Sequence, residues 1–419
     1  MNRVFITNEY PSATNTETSL LPISKLEDKA SVQGQSSLVH IRSQDLAILS
    51  NQEYHHCLIL KGKISNHNNF NDIFEITEPL ISIMANQQSS NLPSPPFFSI
   101  SNISNLRDAA ISLSTPDGPI RHGILFRSAE VSKLDRSGWD AMRELGVAHV
   151  FDLRSKPEVE KGWGGIVGTA DGGEDVRPGW VRGMEDAGMH RTWVPVFEET
   201  DYSPEKLAER YQKYMHTSVE GFVSAYRDIL KSGGEAYRTI FKYLVSLSAV
   251  SNGTTGGKKE KVGALIHCTA GKDRTGVFFG VLFDYLGVPR KDIAREYNLT
   301  EPGLAGVREE VVSRLLQSPG FQKYMLSLAE GKELSKEELA LLVQNRDVPN
   351  AQPAEFPPEV REAGRQAALR MVGARKESMM ATLEMLDREF GGSEKYLREV
   401  CGLGDEDLEK LRSVLVVKQ

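Results

Sequence analysis

A cysteine in the run HCTAGKDRTG, residues 267–276, has the surroundings that a thiolate nucleophile needs. The apolar stretch VGALIH delivers the chain to Cys268, and Arg274, Thr275 and Gly276 open a second apolar run. The short span from Cys268 to Arg274 suits a tight loop whose successive N–H groups turn inward as an anion nest. A helix starting where that loop ends would aim its positive N-terminal end at the same point. Such settings lower a cysteine pKa from about 8.5 into the ~3.5–7.5 range. Arg274 can clamp two phosphate oxygens at once, which lysine cannot. Gly271 and Gly276 permit close backbone approach. The expected site is thus Cys268 ringed by Thr269, Ala270, Gly271, Lys272, Asp273, Arg274 and Thr275. Its chemistry is capture of a phosphate group beside a reactive sulfur.

The elements that must position this loop follow from the apolar pattern. Residues 124–129, 147–155, 192–197 and 262–269 read as short apolar strands bounded by turn residues. Helical patterns at 135–145, 204–230 and 236–247 lie between them. Strands separated by helices predict an α/β fold, with a central, mainly parallel sheet of four to five strands and helices on both faces. Asp152 and Arg154 fall where the second strand ends, at the edge where a parallel sheet carries its site. They can support the loop, bind substrate, or form an ordinary buried ion pair. From Val277 onward the pattern is almost all helix. Met379, Leu383, Leu386 and Phe390 share a face there, which reads as core, and Gly391-Gly392 stops that helix. The stretch 348–358, with four prolines, reads as a linker between helical layers.

Composition bounds the rest. The chain has 419 residues and a formal net charge of −7, against a general nucleic-acid binder. Its best apolar run, Val277–Val288, is interrupted by Asp284 and is too short to span a membrane. Residues 1–83 hold 8 of the 16 asparagines but only two of the 36 glycines, so 1–90 is expected to be an extension and 91–419 the catalytic domain. A start at Met84 would account for the same shift. Three scattered cysteines suit neither a disulfide framework nor a zinc site, and a reduced cytoplasmic protein is expected. Cys57 and Cys401 read as inert core thiols. The segment 161–168 reads as a loop rather than a dinucleotide fingerprint, 251–261 as a solvated basic turn, and His55-His56-Cys57 lacks a fourth metal ligand.

At HCTAGKDRTG the sequence resembles the cysteine-dependent tyrosine/serine phosphatases of bacteria and fungi. Further landmarks of that family follow in order: NLRD (105–108), ILFRSAEVSKL (124–134), FDLRSKPE (151–158), VPVFEETDYSPE (194–205), EYNLT (296–300) and the tail 384–412. The resemblance therefore runs from about residue 95 to the end. One departure is Ala109-Ala110, where the family commonly has glycines.

The resemblance implies hydrolysis of phosphomonoesters, most often phosphotyrosine, through a phosphocysteine on Cys268. Arg274 and the N–H groups of 269–273 would hold the equatorial oxygens, and Thr275 would offer its hydroxyl to the leaving thiolate. His267 would orient the loop. No metal or cofactor is implied, and the partner is a phosphoprotein or phosphoinositide substrate. A lysine at position 272 accompanies phosphoinositide activity in related phosphatases. The Trp-Pro-Asp tripeptide that carries the general acid in many tyrosine phosphatases is absent. Asp273 takes that role in the family, with Glu198, Glu199 or Asp201 as the alternative. The C-terminal helices are expected to contribute a lid. A silent phosphate-binding module and a sulfurtransferase are the competing functions; the first would have no need of Cys268 and the second no need of Arg274-Thr275.

Overall fold

The computed structural model describes residues 92–161, 179–198, 204–247, 261–317 and 356–418, with a few positions between 321 and 328. The expected extension 1–90 and the sequences at His55-His56-Cys57, 162–168, 251–260 and 348–355 lie outside the described residues.

Among the described residues seven strands form: β1 Arg107–Asp108, β2 Ser114–Thr115, β3 Gly118–Pro119, β4 Leu125–Ser128, β5 Val147–Asp152, β6 His190–Trp193 and β7 Gly263–His267. Five of them make one sheet in the order β1-β4-β7-β5-β6, and β2 and β3 pair separately. β4, β7, β5 and β6 run parallel, while β1 pairs antiparallel with β4 at one edge. The expected strand 192–197 begins two residues earlier and ends four earlier, because the pairing of β6 with β5 runs only from His190 to Trp193.

Alternation along the strands explains why both faces are covered. Leu125, Phe151, Ala264 and Ile266 enter one apolar core, and their neighbours Phe126, Val150 and Leu265 enter the other. Successive strand residues point to opposite faces, so a strand that is apolar throughout must be buried on both. The second core is closed by α1 (Arg136–Leu145) and α3 (Trp180–Asp186), which supply Trp139, Met142, Val181 and Met184. Asp135 caps α1 by accepting from Gly138 N, and Gly146 ends it in the left-handed region. Between them lies α2 (Lys156–Lys161).

The first core is larger and is closed by helices from the rest of the chain. These are α4 (Pro204–Met215), α5 (Val219–Ser232), α6 (Gly234–Ser246), α7 (Asp273–Leu286), α8 (Arg290–Asn298), α12 (Lys376–Phe390), α13 (Ser393–Glu399) and α14 (Asp405–Leu415); α9 (Thr300–Gly303) follows α8, and α10 (Ala305–Gln317) and α11 (Pro358–Val372) pack around a smaller separate core with Val312, Ala367 and Ala368. The single helix expected over 204–230 is two, since Ser218 caps a new helix by accepting from Glu220 N. A Cβ on Gly221 would lie 2.1 Å from the Lys213 carbonyl oxygen, so only glycine lets the turn close this tightly. Met379, Leu383 and Leu386 are buried as expected, and Gly391 ends α12 in the left-handed region. Among the described residues no helix is long and apolar enough to cross a membrane.

Candidate active site

β7 is the central strand, and it ends at His267 between the carboxyl ends of β4 and β5. The loop 268–272 fills that position and α7 begins at Asp273, so the strand, loop and helix expected from the sequence are all present. Cys268 is 1% exposed. Gly271 has φ +62°, and a Cβ there would lie 2.0 Å from the Ser128 carbonyl oxygen. The loop therefore lies directly on the end of β4.

Its carbonyls are held from outside. Glu130 N donates to the Thr269 carbonyl at 3.0 Å. Asn105 Nδ2 donates to the carbonyls of Ala270 at 3.2 Å and Gly271 at 3.3 Å, and Arg127 Nη2 to Gly271 at 2.8 Å. In a trans peptide each C=O points opposite to the next N–H. Holding the oxygens of 269, 270 and 271 outward thus turns the N–H groups of 270, 271 and 272 the other way, the orientation that an anion nest requires.

The residues that hold the loop are themselves locked together. Glu296 Oε1 accepts from Arg107 Nε at 2.8 Å and its Oε2 from Arg127 Nη1 at 2.6 Å. Arg107 also donates to the Glu296 carbonyl at 3.1 Å and to Thr300 Oγ1 at 3.2 Å, and its Nη1 to Asn105 Oδ1. Burial pushes the Arg107 guanidinium down to about 10, which leaves it charged at neutral pH. Three sequence landmarks, NLRD, ILFRSA and EYNLT, meet in this one cluster behind the loop. Asp108, from the first of them, accepts from Ala110 N at 2.9 Å and Gly123 N at 2.7 Å, which fixes the path through Ala109-Ala110.

Arg274 is oriented by Glu158, a residue the sequence reading did not single out. Its Nη1 and Nη2 donate to Glu158 Oε2 at 2.5 Å and Oε1 at 2.7 Å. Thr269 Oγ1 donates to the same Oε1 at 2.7 Å, and Ser155 donates to Oε2 through both N and Oγ. Tyr237 holds the Arg274 carbonyl at 2.7 Å. The signal was its place in FDLRSKPE, just past the end of β5, where the loop's arginine needs an anionic partner.

Asp273 Oδ1 accepts from Tyr226 OH at 2.8 Å. Tyr226 OH lies 2.6 Å from Tyr297 OH, so with its own proton on Asp273 it accepts from Tyr297. Burial, reinforced by the Asp273 carboxylate, raises both phenols above their ordinary value and keeps them neutral. Lys272 is buried. Its ammonium donates to the carbonyls of Met371 at 2.5 Å and Gly373 at 3.1 Å, and lies 3.4 Å from Asp273 Oδ1. Thr275 is fully buried with no hydrogen-bond partner for its Oγ1.

His267 Nδ1 donates to the Cys268 carbonyl at 3.2 Å, and burial pushes its pKa down to about 4. Arg154 makes two 2.9 Å bonds to Asp152 and further bonds to Glu130 at 3.1 Å and Ser132 at 3.0 Å. Burial alone would raise the Asp152 carboxyl, but Arg154, His267 and Arg191 hold it well below the usual carboxylate range. Asp152 and Arg154 are 0% and 1% exposed. Glu198 is exposed, and Glu199 and Asp201 lie outside the described residues. Cys401 is buried and its thiol is pushed up to about 12, the opposite of an activated thiolate.

Residues 98–417 match the family model described as the tyrosine phosphatase family. The triple specificity protein phosphatase PtpB of Mycobacterium tuberculosis is 26% identical over 317 residues, covering 74% of this chain and 96% of that protein. A tyrosine-protein phosphatase of Nostoc commune is 22% identical over 286 residues, covering 68% and 72%. A putative phosphatase structure from Shewanella putrefaciens covers 64% of this chain and 95% of its own, at 12% identity and a TM-score of 0.19. With its match running from the first residues of the sheet domain through the last helix, the chain belongs to the tyrosine phosphatase family.

Proposed function

We propose that this phosphatase hydrolyses phosphotyrosine in proteins through a phosphocysteine on Cys268. The observation that carries this reading is the outward hold on three consecutive carbonyls, which leaves three N–H groups facing the space before the thiol. In-line attack by sulfur on phosphorus forms the S–P bond as the P–O bond to tyrosine breaks. The nest and Arg274 hold the equatorial oxygens while charge shifts onto the leaving group. Asp273 gives its proton to the phenolate oxygen, then takes one from the water that breaks the S–P bond. Thr275, with its hydroxyl unpartnered in the resting site, donates to the departing thiolate. Asp152 and Arg154 act as a brace under β5 rather than as substrate ligands, since both are buried and paired. Lys272 is already bound to two carbonyls and to Asp273, which favours phosphotyrosine over phosphoinositide as the substrate.

The test is para-nitrophenyl phosphate turnover with chelator present, followed by acid-quench trapping of labelled phosphate. Wild type should turn over and carry label on sulfur. Cys268→Ser should do neither, and tight phosphopeptide binding by a folded, inactive wild type would instead make the chain a binding module.

A further inference from the structure

Beyond the loop, a cleft of about 240 Å³ opens where α9, α10 and α11 meet the start of α12. Three guanidiniums line it, those of Arg308, Arg370 and Arg375, with one carboxylate, Glu301. The carboxylate is already satisfied: it accepts from Arg308 Nη2 and from Ala374 N. The excess charge therefore sits on Arg370 and Arg375. Arg370 uses Nε on the Met215 carbonyl at 3.2 Å. Arg375 stacks its guanidinium over Phe222, 5.9 Å from the ring centroid, and its buried Nη2 has no hydrogen-bond partner. Clustered arginines with planar donor forks are suited to a phosphate dianion.

The cleft is joined to the reactive loop by a few main-chain atoms. Arg370 and Arg375 flank the segment 371–374, and within it the carbonyls of Met371 and Gly373 grip Lys272 beside Asp273. Gly373 also lines the cleft.

We propose that this cleft is a second phosphate-binding site, with Arg370 and Arg375 as its principal ligands. It is separate from the nest at Cys268 and takes either free phosphate or a second phosphate group on the substrate. A dianion bridging the two arginines ties down both ends of the segment that holds Lys272. The site rests on Arg370 and Arg375 alone, so it stands or falls independently of the catalytic reading.

The experiment counts inorganic phosphate bound per chain by equilibrium dialysis of the full-length protein. Wild type should bind two, and Arg375→Ala and the milder Arg370→Gln should each bind one. Both variants should keep para-nitrophenyl phosphate turnover within about twofold of wild type, which shows that they are folded and that the lost site is not the nest. An Arg375→Ala variant that binds as many phosphates as wild type would overturn the proposal, whether or not the nest itself is occupied. Singly and doubly phosphorylated tyrosine peptides then separate the two sources. If a preference for the doubly phosphorylated peptide in kcat/KM falls at least fivefold in Arg375→Ala, the second phosphate is the substrate's. An unchanged ratio together with the lost phosphate assigns the site to the free anion.

Discussion

Glu158 meets Arg274 end-on, carboxylate to guanidinium, with two bonds of 2.5 and 2.7 Å across 116 positions of sequence. The pair is half-shielded, with side-chain exposures of 22% and 11%, so its value lies in holding the arginine's plane more than in net stability. Glu158 also gathers Thr269 and Ser155, making it the common point of the loop's outer wall.

Glu158→Ala should lower kcat on the order of a hundredfold while the melting temperature changes little, because a misplaced clamp loses transition-state contacts. Glu158→Gln should recover part of the rate. Steady-state kinetics beside thermal unfolding checks this; a change in KM alone would show that Arg274 is positioned by something else.

Asp273→Asn should reduce turnover of phenyl phosphate on the order of 10²–10⁴-fold and that of para-nitrophenyl phosphate far less, since a good leaving group needs little protonation. Tyr226→Phe removes the bond to Asp273 Oδ1 and should lower turnover of phenyl phosphate more than that of para-nitrophenyl phosphate. Glu198→Gln is expected to behave as wild type. The reverse pattern would move the acid to the 198–201 segment.

Gly271→Ala should abolish activity and destabilise the fold by several kcal/mol. Its φ of +62° costs about 1–3 kcal/mol for a residue with a side chain, and the added Cβ meets the Ser128 oxygen at 2.0 Å. Urea unfolding measures it, and Gly306→Ala, where a Cβ would meet nothing within 4 Å, is the matched control.

Acid should weaken the fold through His267. Its folded pKa of about 4 lies below the unfolded value near 6.5, so the neutral ring's contribution is complete above about pH 6.5 and is lost as pH falls toward 4. Between those limits the unfolded chain binds a proton the folded one does not, worth up to about 1.4 kcal/mol per pH unit. His267→Gln should flatten the stability curve between pH 6.5 and 4.5 by about that slope. Denaturant melts across that range give the answer directly.

Much of this was legible from the chain. The loop could be read because strand, cysteine, arginine and helix are adjacent in sequence, so local chemistry alone specifies them. The β6 boundary could not, because it depends on which residues of β5 it pairs with. Nor could the break at 216–218 be separated from a continuous helix by apolar spacing, although Ser218 two residues before Glu220 was a capping signal. Within the site, Asn105, Arg127, Glu158 and Glu296 were missed as individual residues. Each acts on the loop from a remote segment, and charge type alone does not say which of many arginines and acids will meet. The family landmarks contained all four without revealing what they touch.

The grip on Lys272 has a consequence for how the protein can vary. Both acceptors are main-chain carbonyls, of Met371 and Gly373, so the side chains at those positions are not what holds the ammonium. A different side chain at Met371 leaves its acceptor oxygen in place, whereas a single inserted or deleted residue between α11 and α12 would carry the Gly373 oxygen away. Removing the C-terminal layer would strand a buried cation next to the reaction centre. The loop at Lys272 and the C-terminal helices are therefore coupled through the length of the chain between α11 and α12.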